Sequence, residues 1–191
     1  MADAAPAPSD DLMRVLAHEL RQPLSTIESI AYYLTLILPE EQKVHEQLDR
    51  IQLLVEQSNW MLTSGQFIAD PLPGQREDVD LRDLVGEIEL AGFDVQFADP
   101  LPAVRADAPL LRALVENLVI LFRQFPPTAA LRIQPGCLEF SCAAHGRSEA
   151  SLGPGSTLCI QGARRVAESF GGSLQVSVDP SAEIRVRVML T

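Results

Sequence analysis

Apolar residues recur at helical spacing from about Asp11 to Leu38. Leu16, Leu20, Leu24, Ile27, Ala31 and Leu34 fall on one face. Ser9, Asp10 and Asp11 offer N-caps for this helix, and Pro39-Glu40-Glu41 interrupts it and restarts the chain. A second periodic stretch carries Val44, Leu48, Ile51, Val55 and Leu62 and ends near Ile68. Two long helices joined by a short turn predict an antiparallel hairpin. Such a hairpin cannot bury both of its apolar stripes alone. A second copy, completing a dimeric four-helix bundle, is the expected solution.

Asp70-Pro71-Leu72-Pro73-Gly74 reads as a linker, and beyond it the pattern changes. Asp80 to Leu90 and Ala108 to Gln124 read as helices, as does the stretch from about Ser156 to Phe170. Phe93 to Phe97, Leu138 to Ala143, Ser173 to Val178 and Glu183 to Leu190 alternate as strands. The expected architecture is α+β. A disordered tail (1–10) precedes the hairpin (11–69), and a linker (70–77) leads to a small α/β sandwich (78–191) with helices on one face of a mostly antiparallel sheet.

Composition narrows the function classes. Of 191 residues 47% are hydrophobic and 21% charged, so a core can be buried. The net charge of -11 argues against nucleic acid and against an anionic membrane surface, and leaves a partner with a basic face open. Cys137, Cys142 and Cys159 are odd in number and lack CxxC spacing, which predicts reduced thiols in a cytoplasmic protein rather than a disulfide framework or zinc site. Met1 to Asp11 lacks the basic start and apolar core of a signal peptide, and no apolar run approaches the ~20 residues that span a bilayer.

The most informative stretch is His18-Glu19-Leu20-Arg21-Gln22-Pro23-Leu24. At ~100° per residue His18 lies roughly 170° from the centre of the Leu16/Leu20/Leu24/Ile27 stripe. Gln22, Ser25 and Ser29 share its face, and Pro23 bends the helix nearby. A lone exposed histidine is ordinarily a solvated surface residue. A zinc-binding HExxH needs a second histidine where Gln22 stands, so no metal is expected here.

The heptapeptide, on the first of two long helices, resembles the H-box of the dimerisation and histidine-phosphotransfer domain of two-component histidine kinases. It matches the pattern His-Glu/Asp-aliphatic-basic-x-Pro-aliphatic at every fixed position, and the likeness runs to about Ile68. The resemblance implies that His18 is the phospho-acceptor on one ring nitrogen. Glu19 would then accept a hydrogen bond from the other nitrogen, Gln22 would position a water for dephosphorylation of the partner, and Pro23 would supply the bend.

The C-terminal part resembles the ATP-binding domain that follows this hairpin in the same family, but in a degenerate form. Asp107 to Phe125 is similar to the N-box helix, and Gly153-Pro154-Gly155 with the helix after it to the last glycine box. The family's metal-binding asparagine falls at Leu121, with Asn117 one turn earlier in a structural place. No aspartate stands in Ala143-Ala144-His145-Gly146-Arg147, where the adenine-reading box belongs, and about ten residues replace the long ATP lid. Asn117, Leu121, Gly153 and Gly155 are therefore vestigial nucleotide-site positions, and neither ATP nor magnesium is an expected cofactor.

The chain is closest in character to dimeric bacterial histidine phosphotransferases of the degenerate-kinase type. The expected function is a cytoplasmic phosphorelay intermediate, with His18 passing a phosphoryl group between response-regulator receiver domains. An upstream hybrid histidine kinase is a possible source of that group. The lack of a sensor, membrane or receiver segment within these residues fits this role. The alternatives are an ATP-dependent, sensor-less histidine kinase with a divergent nucleotide site and a non-catalytic dimeric scaffold for a response regulator.

Overall fold

The computed structural model describes residues 8–38, 41–69, 75–123, 125, 129–143, 155–178 and 183–190. Helix α1 (Pro8–Ile37) and helix α2 (Gln42–Ala69) form the hairpin. The first helix thus begins inside the stretch expected to be a tail. Ala17 and Ala31 on α1 and Leu48 and Val55 on α2 are buried along the seam. Small side chains there let the two backbones approach closely.

The single apolar stripe expected on α1 divides in two. Its Ala31 edge packs on α2, with Leu24 and Leu34 half-buried. Leu16, Leu20 and Ile27 remain 46%, 41% and 44% exposed. A two-helix hairpin offers one seam, and these residues point past it.

The remainder is a sheet with helices on one face. The elements are β1 (Glu77–Val79), α3 (Leu81–Gly86), β2 (Phe93–Phe97), β3 (Val104–Ala106), α4 (Ala108–Phe122), β4 (Ala129–Gln134), β5 (Cys137–Ala143), α5 (Ser156–Ser169), β6 (Ser173–Val178) and β7 (Glu183–Met189). Strand order is β2-β4-β5-β7-β6, antiparallel except for the parallel pair β2–β4, while β1 and β3 form a separate two-stranded ribbon. Asp107 caps α4 by accepting from Leu110 N at 2.9 Å, with Pro109 in the first turn, where its missing N–H costs nothing.

Register explains which face is the core. Leu138↔Val188, Phe140↔Val186 and Cys142↔Ile184 face the helices. They meet Leu111, Leu114, Leu118 and Phe122 of α4 and Ala163 and Val166 of α5, all buried. Phe122 lies 5.7 Å from Phe140, ring centroid to centroid. On the opposite face Glu139 is covered by Arg132 and Arg187.

Two expectations change. The helix expected over Asp80–Leu90 lasts only from Leu81 to Gly86. Asp80 caps it through Arg82 N at 2.7 Å, and the Glu87 N–H closes onto the Asp83 carbonyl and the Ile88 N–H onto that of Val85, ending it after six residues. Strands β1, β3 and β4 were not expected. β4 alternates Ala129, Leu131, Ile133 inward against Ala130, Arg132, Gln134, a signal confined to six residues. Among the described residues no helix is long and apolar enough to cross a membrane.

Candidate functional site

His18 stands on the outer flank of α1 with its side chain 72% exposed. Its Nδ1 faces Glu19 Oε1 at 3.4 Å, at the long end of hydrogen bonding. That contact favours the tautomer with the proton on Nδ1, which leaves the Nε2 lone pair free toward solvent. Gln22, one turn on, is exposed on the same flank. The structure thus brings His18, Glu19 and Gln22 together in the arrangement expected from their spacing.

Pro23 lies inside α1 and has no N–H to give the Glu19 carbonyl. In the next turn Thr26 Oγ1 donates to the Gln22 carbonyl at 3.0 Å and Ser29 Oγ to the Ser25 carbonyl at 2.8 Å. Hydroxyls that bond back in this way loosen and bend a helix, so the backbone is softened just below the histidine.

On the His18 side of α1, Ser25 and Ser29 open onto a groove whose other walls include Asp49 and Glu56 of α2 and Arg123 after α4. The Arg123 guanidinium donates to both Glu56 oxygens at 2.9 and 3.1 Å and to the Glu89 carbonyl at 3.1 Å. Across that bridge lies a second groove, lined by Trp60, Glu87, Ile88, Glu116 and Ile120. Carboxylates outnumber cations along the whole trough.

Asn117 and Gly155, expected as vestigial nucleotide positions, lie against α2 about one turn beyond Trp60. Asn117 is buried, and its Nδ2 donates to Ser64 Oγ at 3.1 Å and to the Cys159 carbonyl at 3.0 Å, while its Oδ1 has no partner among the described residues. Leu121 is buried. Gly155 opens α5 at φ +76°, and a Cβ there would fall within 2.0 Å of Met61 Sδ. A Cβ on Gly162 would fall 2.7 Å from Ser64 Cβ. The stretch of α2 from Met61 to Ser64 therefore rests directly on Asn117, Gly155 and Gly162. Burial also pushes the Cys159 thiol above its ordinary pKa, as befits a packing residue. Gly153 and residues 144–150, where the adenine-reading box and His145 fall, lie outside the described residues.

Ser64, Trp60, Glu56 and Arg123 were not singled out in the sequence. Only the adjacent small pair Ser64-Gly65 within α2 hinted at a close approach there.

No described protein family and no curated protein matches this sequence. Solved structures do. A full-length ShkA structure in complex with AMPPNP is 17% identical at TM-score 0.57, covering 95% of this chain and 46% of that one. The histidine kinase AdeS of Acinetobacter baumannii is 12% identical at TM-score 0.54, over 91% of this chain and 97% of that one. The cytoplasmic segment of histidine kinase QseC is 16% identical at TM-score 0.52, over 73% and 94%. This chain spans less than half of the ShkA structure it matches. At these identities the likeness establishes the fold, which is that of histidine kinases.

Proposed function

We propose that this protein is a dimeric, cytoplasmic histidine phosphotransferase of two-component signalling. It takes a phosphoryl group from the aspartyl phosphate of one response-regulator receiver domain and hands it to another, the first being part of, or charged by, an upstream hybrid histidine kinase. The observation that carries the reading is the pairing of an outward His18 with a filled nucleotide side. Nε2 is free, while Asn117 and Gly155 are taken up by Ser64 and Met61 of the same chain. Leu121 at the metal position gives magnesium no oxygen ligand. We therefore count neither ATP nor magnesium among the ligands of the second domain.

In the accepting step the Nε2 lone pair attacks phosphorus, the phosphorus–oxygen bond to the aspartyl carbonyl carbon's oxygen breaks, and the aspartate leaves as a carboxylate. The ring then carries Nδ1–H and a positive charge, which the Glu19 carboxylate faces. The donating step is the reverse, with a second receiver's aspartate attacking. Gln22 is the residue we assign to holding a water during dephosphorylation. The acidic trough beside His18 suits a receiver with a basic docking face.

The test is transfer of radiolabel from a phosphorylated receiver, run beside labelled ATP with magnesium. Label is expected to arrive from the receiver and not from ATP. Label from ATP alone would make the chain a kinase, and label from neither would leave a scaffold.

The dimer rests on the open row of Leu16, Leu20 and Ile27 on α1. Beside it a groove of about 370 Å³ is lined by Pro23, Met61 and Leu62 as well. A second copy of the hairpin would cover this row away from the His18 flank. Light scattering at micromolar concentration is expected to give twice the chain's 20.9 kDa, and Ile27→Glu to lower it toward one chain. A monomer mass for the parent would refute the bundle.

A further inference from the structure

Arg21 follows His18 by three residues, yet its guanidinium turns inward. Its Nη2 donates to Thr63 Oγ1 at 3.0 Å and to Gln66 Oε1 at 2.8 Å, both on α2. The Thr63 hydroxyl spends its own proton on the Asn59 carbonyl at 3.0 Å, which leaves its lone pairs for Arg21. Among the described residues these are the only side-chain hydrogen bonds that join the two hairpin helices.

Most of the rest of that seam is apolar: Ala17, Ala31, Leu48, Val55 and the Met13 thioether lying over Gly65, with the buried Asn59 Oδ1 making no hydrogen bond to any described residue. Apolar contacts have no direction, so they choose the face each helix turns to its partner but fix its rotation less sharply than directed bonds do. A half-buried cation with two directed acceptors is satisfied in one rotation only, in the way a single buried polar residue sets the register of a coiled coil. The stakes for His18 follow from geometry. Its ring lies about 5–6 Å from the helix axis, so a turn of roughly 30° sweeps it about 3 Å sideways. In-line transfer needs reacting atoms about 3–3.5 Å apart, and a displacement of ~1 Å can cost 100-fold.

We propose that Arg21 is a positioning residue. By pinning the rotation of α1 against α2 it aims His18 Nε2 at the phosphoryl group of a docked receiver. This rests on the phosphotransferase reading above.

The test uses the full chain and two kinds of variant. Arg21→Met removes the donors and keeps the length. Thr63→Val with Gln66→Leu removes the acceptors and leaves the charge, and Thr63→Val alone serves should the double variant fail to fold. Single-turnover transfer from a phosphorylated receiver is measured over a range of receiver concentrations. In parallel His18 is labelled with phosphoramidate, where Nε2 displaces ammonia from phosphorus and no protein docks.

Both variants are expected to lower the maximal transfer rate by about 10–100-fold. The half-saturating receiver concentration should stay within about twofold, and labelling by phosphoramidate should proceed at the parent rate. Arg21→Lys, which can still reach an acceptor, should recover part of the loss. Parent-rate transfer in the acceptor variants overturns the proposal, as does a loss confined to receiver affinity. A parent that phosphoramidate labels but no receiver labels overturns the phosphotransferase reading itself, and the proposal with it.

Discussion

His18→Ala is expected to take no label from a phosphorylated receiver while melting at the parent temperature. The two halves of that result have separate causes. The side chain is 72% exposed, and its recorded polar contact is the 3.4 Å approach to Glu19. Removing it leaves no cavity and no stranded buried group, so stability should move by no more than about 0.5 kcal/mol. Transfer, in contrast, needs a nucleophilic nitrogen at that point of α1, and alanine has none. Glu19→Gln should retain transfer but slow it by about 10–100-fold, because an amide can still meet Nδ1–H yet cannot offset the charge of the phosphorylated ring. Phosphorimaging of both variants beside the parent checks the pair. Label that persists in His18→Ala would have to sit on His45 or His145, and the site would then be elsewhere.

Gly162→Ala is expected to destabilise the protein, against the sign that helix propensity gives. In an exposed helix the change from glycine to alanine gains up to about 1 kcal/mol. Here the new methyl carbon would fall 2.7 Å from Ser64 Cβ, 2.8 Å from Ser64 Cα and 3.1 Å from its carbonyl oxygen. Two of those three atoms are helical backbone of α2 and cannot swing aside, so α2 must lift from α5. Overpacking of this kind costs about 1–3 kcal/mol. Lifting α2 also breaks the Asn117–Ser64 hydrogen bond, in a place where Asn117 Oδ1 already lacks a partner among the described residues. A further ~1–3 kcal/mol follows for the buried N–H left without an acceptor, the amide's other bond, to the Cys159 carbonyl, staying in place. After a propensity gain of about 1 kcal/mol the net loss is about 1–5 kcal/mol, or roughly 3–15 °C in Tm for a chain of this size. Gly86→Ala is the control: nothing lies within 4 Å of that Cβ, so it should be neutral or stabilising. Equal melting of the two variants would mean that α2 and α5 do not touch as described.

What could be read from the residues in order, and what could not, divides along sequence distance. The hairpin was legible because its 3.6-residue period persists for 30 and 28 residues, long enough to outweigh Pro23 inside α1. Strands β2 and β6 were legible to the residue because each alternates between clear breaks. β1 and β3, at three residues each, are too short to show any period. His18, Glu19 and Gln22 came from one contiguous motif. The partners that hold the site in place did not. Arg21 meets Thr63 and Gln66 across 42 and 45 positions, and Asn117 meets Ser64 across 53. Period could say that α1 has a wide apolar side. Only the placement of α2 says which part of that side is spent within one chain and which part, Leu16, Leu20 and Ile27, is left over.

The seating of α2 has a consequence for how the chain coheres. One side of this helix is the seam of the hairpin, through Thr63 and Gln66. Another is a wall of the C-terminal layer, through Ser64 and through Glu56 beneath Arg123. The break in pattern near residues 70–77 therefore separates two sequence regions without separating two cooperative units. A fragment cut there would strip Asn117 and Gly162 of their cover and bare the Ser64 and Glu56 side of α2. The two regions share one helix as a common beam, so they stand and fall together.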